Sequence, residues 1–349
     1  MKPHPVRVLF GCIFLLSQAM SQPGELPGFR AHLIDDDFQG GYQVSSADLN
    51  GDGLPDVIGL STNPTRFVWY ENPEWNKYVL TTQTDRNIDV APYDVNRDGR
   101  PDLALASDFD LGNSLRGGRL HWLVNPTSPT LEWLIYRIGA EPTAHRIRWA
   151  DLDGNGQKEL VNTPIIGRGA TYPEYSTGAR LQWYGIPENP AAQEWEVHTI
   201  DTSLHMIHGV EIVDWDNDFR DDILTASFEG VHLFRPSGII EALNWHKVRL
   251  GAGKSGDRPK RGSSEIALGH LGPARRFLAT IEPWHGFQVV IYNPPAQDQA
   301  SLWRRTVIDS SFRDGHALET ADLNGDRLDE VVAGFRGEPH NLYIYTAAD

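Results

Sequence analysis

The feature that most constrains this chain is an internal repeat built around an acidic loop. Each copy carries Asp at position 1, Asp or Asn at positions 3 and 5, and Asp or Glu at position 9, followed by a short β-type run. A degenerate sixth copy begins at Leu268, and successive copies are 46 to 63 residues apart. The five acidic copies begin at Asp48, Asp94, Asp151, Asp214 and Asp322. Four short strands with their turns fill such a period, which is typical of the blades of a β-propeller.

We therefore predict an all-β chain that forms a β-propeller with six repeats, in a single domain covering residues 22–349. The last repeat ends at Tyr345 after its third strand, whereas the segment Phe29–Ile34 resembles a fourth strand with no blade before it. We expect this N-terminal strand to join the C-terminal blade and close the ring, because closure removes an open sheet edge.

The N-terminus has the layout of a secretory signal. A basic start is followed by the apolar run Val8–Leu16 and then by small and polar residues, so residues 1–21 are predicted to be a signal peptide. The protein is then expected to be secreted or periplasmic. A lipobox at Leu9–Cys12 is the alternative, although Cys12 lies inside the apolar run. Since Cys12 is the only cysteine, the mature chain would hold no disulfide.

The acidic loops predict calcium sites. Carboxylate and amide oxygens form the hard ligand set that Ca²⁺ prefers, and glycine at position 6 of three copies permits the sharp turn. The loops contain 16 acidic ligands, which equals the net charge of −16. The alternative is a set of Asx turns without an ion. The predicted ligands are Asp48, Asn50, Asp52, Asp56, Asp94, Asn96, Asp98, Asp102, Asp151, Asp153, Asn155, Glu159, Asp214, Asp216, Asp218, Asp222, Asp322, Asn324, Asp326 and Glu330.

Charge and hydropathy exclude two classes of partner. The chain has 31 basic and 47 acidic residues, whereas proteins that bind nucleic acid need a basic face. No apolar stretch is long enough to span a bilayer, which takes about 20 residues. We therefore expect neither nucleic-acid binding nor membrane embedding, and we expect a monomer.

The repeat resembles the FG-GAP/VCBS-type calcium-loop repeat of integrin α-chain propellers and many secreted bacterial proteins. A narrower likeness lies in the segment Gly315–Arg336 together with His208–Asp214. These segments look like the propeller of aldos-2-ulose dehydratase and of the L-rhamnose-α-1,4-D-glucuronate lyases. Those relatives are described as seven-bladed, so seven blades are the alternative to the six counted here. The resemblance implies a carbohydrate-active carbon–oxygen lyase.

The first strand of each propeller blade lines the central channel, so residues at equivalent positions of these strands should converge. Six residues before the first loop ligand stand His145, His208 and His316, which we predict to be catalytic. Three residues before the first ligand stand Arg148, Glu211, Glu265 and Glu319, which we predict to bind substrate. The alternative is that they are ordinary core residues with satisfied hydrogen bonds.

The loops after the second strands should lie on the same face as that channel mouth. Arginine can pair with a sugar carboxylate, and tryptophan can stack on a sugar ring. We predict catalytic roles for Arg168, Tyr172 and Arg336 and substrate binding for Arg116, Trp284 and His285. Solvated loop residues without a function are the alternative for each.

Two functions compete on these observations. The first is β-elimination on a uronate-containing or keto sugar, in which histidine serves as base or acid. The second is a calcium-stabilised propeller that binds a glycan or protein without catalysis. A sugar dehydratase is a third, related possibility.

Overall fold

The computed structural model describes residues 32–126, 128, 131–296 and 301–347. These residues form six antiparallel sheets, and all of them except the last have four strands. The prediction of an all-β propeller with six blades is confirmed. The described residues contain a single short helix, the 3₁₀ turn Ile240–Ala242.

Each sheet is one blade, with strands that follow one another in chain order. Blade 1 contains β1 (Gly41–Ala47), β2 (Asp56–Thr62), β3 (Thr65–Glu71) and β4 (Asn76–Val79). Blade 2 contains β5 (Asp89–Tyr93), β6 (Asp102–Ser107), β7 (Arg119–Val124) and β8 (Leu134–Ala140). Blade 3 contains β9 (Ala144–Ala150), β10 (Glu159–Pro164), β11 (Leu181–Tyr184) and β12 (Val197–Asp201).

The remaining blades repeat the order. Blade 4 contains β13 (Gly209–Val213), β14 (Asp222–Ser227), β15 (Gly230–Ser237) and β16 (Asn244–Gly251). Blade 5 contains β17 (Glu265–His270), β18 (Arg276–Glu282), β19 (Gln288–Asn293) and β20 (Arg304–Asp309). Blade 6 contains β21 (Gly315–Ala321), β22 (Glu330–Phe335) and β23 (Leu342–Tyr345).

The hydrophobic core lies between neighbouring blades. Leu60 and Trp69 of blade 1 pack with Leu105 of blade 2, and equivalent clusters lie at the next four junctions. The second strand of a blade is covered on both faces, so every residue of β6, β10 and β14 is buried. Packing against both neighbours is what holds each blade in place.

The predicted closing strand and the signal peptide fall largely outside the described residues. Residues 1–31 are not described; residues 32 to 34 are described and belong to no strand. Blade 6 does meet blade 1 near the channel, where the rings of Tyr42 and His316 are 5.6 Å apart. Within the described part of the chain, no helix has the length and apolar character needed to cross a membrane.

Candidate functional site

Three first strands begin with a β-bulge, and the extra residue is aromatic in each. The pairing of β1 with β2 skips Tyr42, the pairing of β9 with β10 skips His145, and the pairing of β21 with β22 skips His316. A bulge inserts one unpaired residue and changes the direction of its side chain. Equivalent bulges in blades 1, 3 and 6 therefore aim these side chains at one region.

Two more histidines reach the same region from other elements. His208 immediately precedes β13, and its backbone N–H donates to the carbonyl of Ala226 in β14. His285 lies in the turn that joins β18 to β19. His208 thus lies at the start of a first strand, and His285 lies in a loop after a second strand. Both kinds of position are on the same face of the propeller, so the two side chains can meet.

The four imidazoles form a compact group, which we call the histidine cluster (His145, His208, His285 and His316). Ring centres are 4.8 Å apart for His145 and His208, 4.9 Å for His208 and His285, and 5.1 Å for His285 and His316. The Nε2 atoms of His208 and His285 are 3.1 Å apart. The structure thus brings together the three histidines singled out by the repeat, and it adds His285.

Three members of the cluster have the geometry of a metal site. One ring nitrogen each of His208, His285 and His316 lies within 4.8 Å of the other two. The Nε2 atom of His316 is buried and has no hydrogen-bond partner among the described residues. Three histidines are a common ligand set of catalytic zinc sites, which keep a fourth position for water or substrate. These residues therefore fit a zinc-like divalent cation.

Charged side chains lie directly behind the candidate ligands. A carboxylate oxygen of Glu265 is 2.7 Å from Nδ1 of His208. Asp314 is 3.4 Å from Nδ1 of His285, and the Arg336 guanidinium is 3.0 Å from the same nitrogen. Groups at such positions fix the orientation of a histidine ring and tune its basicity.

The surroundings keep the histidine cluster neutral. Burial is the main cause that lowers the pKa of His145 and His208 well below the usual value, and the Arg146 charge lowers both further. Burial and the neighbouring His208 lower the pKa of His285 to about 3 and also lower that of His316. Neutral imidazoles carry the lone pair that metal binding or proton abstraction requires.

Arg146 and Tyr42 complete the cluster on its other side. The Tyr42 hydroxyl and Nε2 of His145 are 2.9 Å apart. The Arg146 guanidinium is buried over the Tyr42 ring and lies 3.8 Å from Glu265. Neither Arg146 nor Tyr42 was selected from the sequence. Consecutive strand residues normally point to opposite faces, so nothing in the repeat indicated that both His145 and Arg146 would reach the cluster.

Other predicted site residues lie elsewhere. Arg148 pairs with Asp89 at 2.7 Å, and Glu211 accepts from the Leu268 N–H. Glu319 accepts from the N–H of Thr320. Among the described residues, no hydrogen bond or ion pair joins these three to the histidine cluster.

The predicted loop residues lie in three places. Trp284 and Arg336 contact the cluster, since the Trp284 ring centre is 4.6 Å from that of His285. Tyr172 is 70% exposed and packs against Tyr175. Arg116 and Arg168 line a separate groove between blades 2 and 3.

The acidic loops join the first and second strands of their blades, on the face opposite to the loops that carry His285. In the first loop, Asp48 accepts from the N–H groups of Gly51 and Gly53, and buried Asp56 accepts from that of Leu49. The same pattern recurs in the loop that starts at Asp322. In the blade 4 loop, carboxylate oxygens of Asp214, Asp216 and Asp218 lie within 4.8 Å of one another. The contacts within the loops suit both an ion and an Asx turn, so calcium remains a prediction.

Comparison with known proteins identifies relatives of the repeat and of the propeller. Residues 117–295, about half of the chain, match the aldos-2-ulose dehydratase β-propeller domain, and residues 48–105 match the FG-GAP-like repeat. The aldos-2-ulose dehydratase of Phanerodontia chrysosporium is 24% identical over 355 residues, an alignment that covers 90% of this chain and 38% of the relative. The chain thus spans well under half of that protein's length.

Two solved structures share the fold. A lectin of Agrocybe aegerita that recognises non-reducing terminal N-acetylglucosamine is 12% identical, with a TM-score of 0.53, over 84% of this chain and 75% of the lectin. An ancestral GH74 enzyme is 14% identical, with a TM-score of 0.50, over 87% of this chain and 38% of the enzyme. At these identities the likeness concerns the fold alone.

Proposed function

Because this chain belongs to the family of the aldos-2-ulose dehydratase β-propeller domain, we propose that it is a carbohydrate-active carbon–oxygen lyase. The reaction is a β-elimination on a keto sugar or a uronate-containing glycan. The observation that carries this proposal is the convergence of four neutral histidines on one face of the ring. Perturbed titratable groups gathered at one site are typical of catalytic centres.

The elimination has three requirements. A base removes the proton on the carbon next to a carbonyl or carboxylate, the C–O bond to the leaving group breaks as the C=C bond forms, and an acid protonates the departing oxygen. Charge that develops on the carbonyl or carboxylate oxygen must also be stabilised. The histidine cluster and its neighbours offer a group for each requirement.

His145 is the proposed base. Its imidazole is neutral, and its ring nitrogen lies 2.9 Å from the Tyr42 hydroxyl. When the Nε2–H group of His145 donates to the Tyr42 hydroxyl oxygen, Nδ1 of His145, which has no hydrogen-bond partner among the described residues, keeps the lone pair that accepts the substrate proton. Burial raises the pKa of the Tyr42 hydroxyl, so Tyr42 holds its own proton and can give it to the departing oxygen. Arg146 lies beside His145 and Arg336 lies beside His285, so both charges can offset negative charge on the substrate.

His208, His285 and His316 are the proposed ligands of a divalent cation, for which zinc is the best match to the donor set. When bound, such a cation polarises a carbonyl or carboxylate oxygen as a Lewis acid. Glu265 lies beside His208 and Asp314 lies beside His285, where their charges can tune the two rings, and the Ser264 hydroxyl is within hydrogen-bond distance of His208 Nδ1. Trp284 lies beside His285 and offers an apolar face to a sugar ring.

The test is turnover with a panel of keto sugars and uronate oligosaccharides, followed by the ultraviolet absorbance of the unsaturated product and by its mass. We expect His145→Gln to lower kcat by about 100-fold or more, as loss of a general base does. His246→Ala is the matched control. His246 is exposed on β16, the outer strand of blade 4, and its side chain has no partner among the described residues.

The lyase proposal fails if wild-type protein binds these sugars without turnover, a result that would favour the non-catalytic binding module. It also fails if His145→Gln turns over as fast as wild type. Thermal midpoints of both variants show whether a loss of activity reflects a loss of folding.

A further inference from the structure

A groove between blades 2 and 3 is lined by four arginines, which is unexpected in a chain of net charge −16. Its volume is about 550 Å³, within the range of small-molecule sites. Arg119 and Arg137 come from the adjacent strands β7 and β8, and Arg116 and Arg168 come from loops after second strands. We call this feature the arginine groove.

Three of the four arginines of this groove lack acidic partners. Among the described residues, no carboxylate lies within ion-pair distance of Arg116, Arg137 or Arg168, and none of the three side chains makes a hydrogen bond. The one carboxylate on the lining is Asp108, and it is already paired with Arg86 and lies 3.5 Å from Arg119. The groove therefore presents at least three uncompensated positive charges.

The pKa of His121, which lies on the same lining, is lowered in part by the positive charge of the groove. His121 lies directly opposite Arg137 in the pairing of β7 with β8. Burial, the larger cause, and the charges of Arg119 and Arg137 together lower the pKa of His121 to about 4. The groove thus repels one more positive charge, as a site for an anion does.

The two loops of the groove are held together and lead toward the histidine cluster. Buried Ser114 donates its hydroxyl to the Ala170 carbonyl at 2.8 Å, and the Gly169 N–H donates to the Ser114 carbonyl. Phe109, near the start of the first loop, packs on His145 with ring centres 5.5 Å apart. The loop that lines the groove through Asp108 therefore contacts the histidine cluster through its next residue, Phe109.

We propose that the arginine groove is an accessory subsite that binds a carboxylate-bearing sugar residue of an acidic glycan. The guanidinium group matches a carboxylate with two parallel hydrogen bonds, and separate arginines can hold successive acidic residues of one chain. The inference rests on the proposed function for its choice of a glycan; the charge and shape of the groove stand without it.

The test is calorimetric binding of short oligogalacturonates and oligoglucuronates, each compared with its carboxyl-reduced, neutral counterpart. The His145→Gln background prevents turnover during the measurement. We expect the acidic oligosaccharides to bind more tightly than the neutral ones and to weaken as salt rises. Arg137→Ala should weaken the binding about ten-fold, as expected for a lost charge-assisted hydrogen bond, and Arg116→Ala should act in the same direction.

Arg304→Ala is the matched control, because Arg304 is exposed on β20 and has no side-chain partner among the described residues. The proposal is overturned if acidic and neutral oligosaccharides bind equally, if Arg137→Ala binds like Arg304→Ala, or if only sulfated glycans or single-stranded DNA bind. Tight, arginine-dependent binding without turnover in the wild type would leave the groove standing and reject the lyase. Turnover in the wild type together with unchanged binding by Arg137→Ala would support the lyase and reject the arginine groove.

Discussion

At the scale of residues, the histidine cluster is held neutral by its surroundings and not by hydrogen bonds alone. Arg146 and Arg336 place positive charge beside four rings, of which His145 and His208 are fully buried and His285 and His316 partly buried. Protonation of these rings is therefore opposed twice, by burial and by repulsion. Glu265 and Asp314 balance part of this charge. Each neutral imidazole has one nitrogen lone pair, which can bind either a substrate proton or a metal ion but not both.

A direct prediction concerns metal content. Protein purified without chelators should contain roughly one equivalent of zinc or a similar divalent cation, measured by plasma mass spectrometry. His316→Ala should lose most of it, because this substitution removes the ligand whose Nε2 atom has no protein partner. His246→Ala should keep the wild-type content. Equal metal content in the two variants would contradict the three-histidine site.

A second prediction separates Glu265 from a merely structural role. Glu265→Gln keeps the side-chain size but removes the charge 2.7 Å from His208. We expect zinc affinity, measured by competition with a fluorescent chelator, to fall about 10–100-fold, as for other carboxylates behind ligand histidines. Glu319→Gln, at the equivalent strand position of blade 6, should leave the affinity unchanged. Similar affinities in both variants would contradict the role of Glu265.

The alignment of repeats could indicate His145, His208 and His316 because equivalent positions of a ring converge. It could not indicate how Arg146 reaches the same point, because a bulge is set by tertiary packing and leaves no fixed residue pattern. His285 was recognisable only as a residue of a site-face loop. The separation of Arg116 and Arg168 from the cluster depends on how two loops pack, which the repeat does not encode.

At the scale of elements, an aspartate at position 8 of two acidic loops clamps one blade to the preceding one. Asp329 accepts from the His270 N–H at 2.7 Å and returns its own N–H to the His270 carbonyl at 2.8 Å. Asp221 makes the same reciprocal pair with Asp151. These loops thus link neighbouring blades as well as turning the chain.

We expect Asp329→Ala to lower the free energy of unfolding by about 1–3 kcal/mol, the usual cost of removing a charged hydrogen-bond partner. Asp221→Ala should cost a similar amount, and the two effects should add because the junctions are distant. Urea unfolding followed by tryptophan fluorescence measures both. Asp36→Ala, which removes an exposed aspartate with no side-chain partner among the described residues, is the control. If Asp329→Ala matches this control, the clamp contributes nothing to stability.

The number and type of elements could be read from the sequence, since each acidic loop marks the turn between a first and a second strand. The prediction of N-terminal strand exchange remains a prediction, because residues 29 to 31 are not described. The sequence did not show the Asp329 clamp: position 8 is Pro55, Pro101 or Lys158 in other copies, so only the structure reveals what an aspartate does there.

At the scale of the whole molecule, the ring must be stabilised without disulfides in its blades, since Cys12 is the only cysteine. Its hydrophobic clusters tie each blade only to its neighbours. Cations in five loops would cancel repulsion among 16 acidic ligands, and each bound ion stabilises the fold by mass action, about 4 kcal/mol at 1,000 times its dissociation constant.

We therefore expect removal of calcium with EGTA to lower the thermal midpoint by at least about 5 °C, and calcium, but not magnesium, to restore it. Asp52→Asn distinguishes ions from Asx turns, because an amide oxygen can still accept from the Leu54 N–H as Asp52 does, while one ligand charge is lost. With ions, this variant should melt lower than wild type in calcium and like wild type in EGTA, as differential scanning fluorimetry would show. With Asx turns alone, the two proteins would melt together in both buffers, and the loops would then stabilise the ring through their backbone contacts.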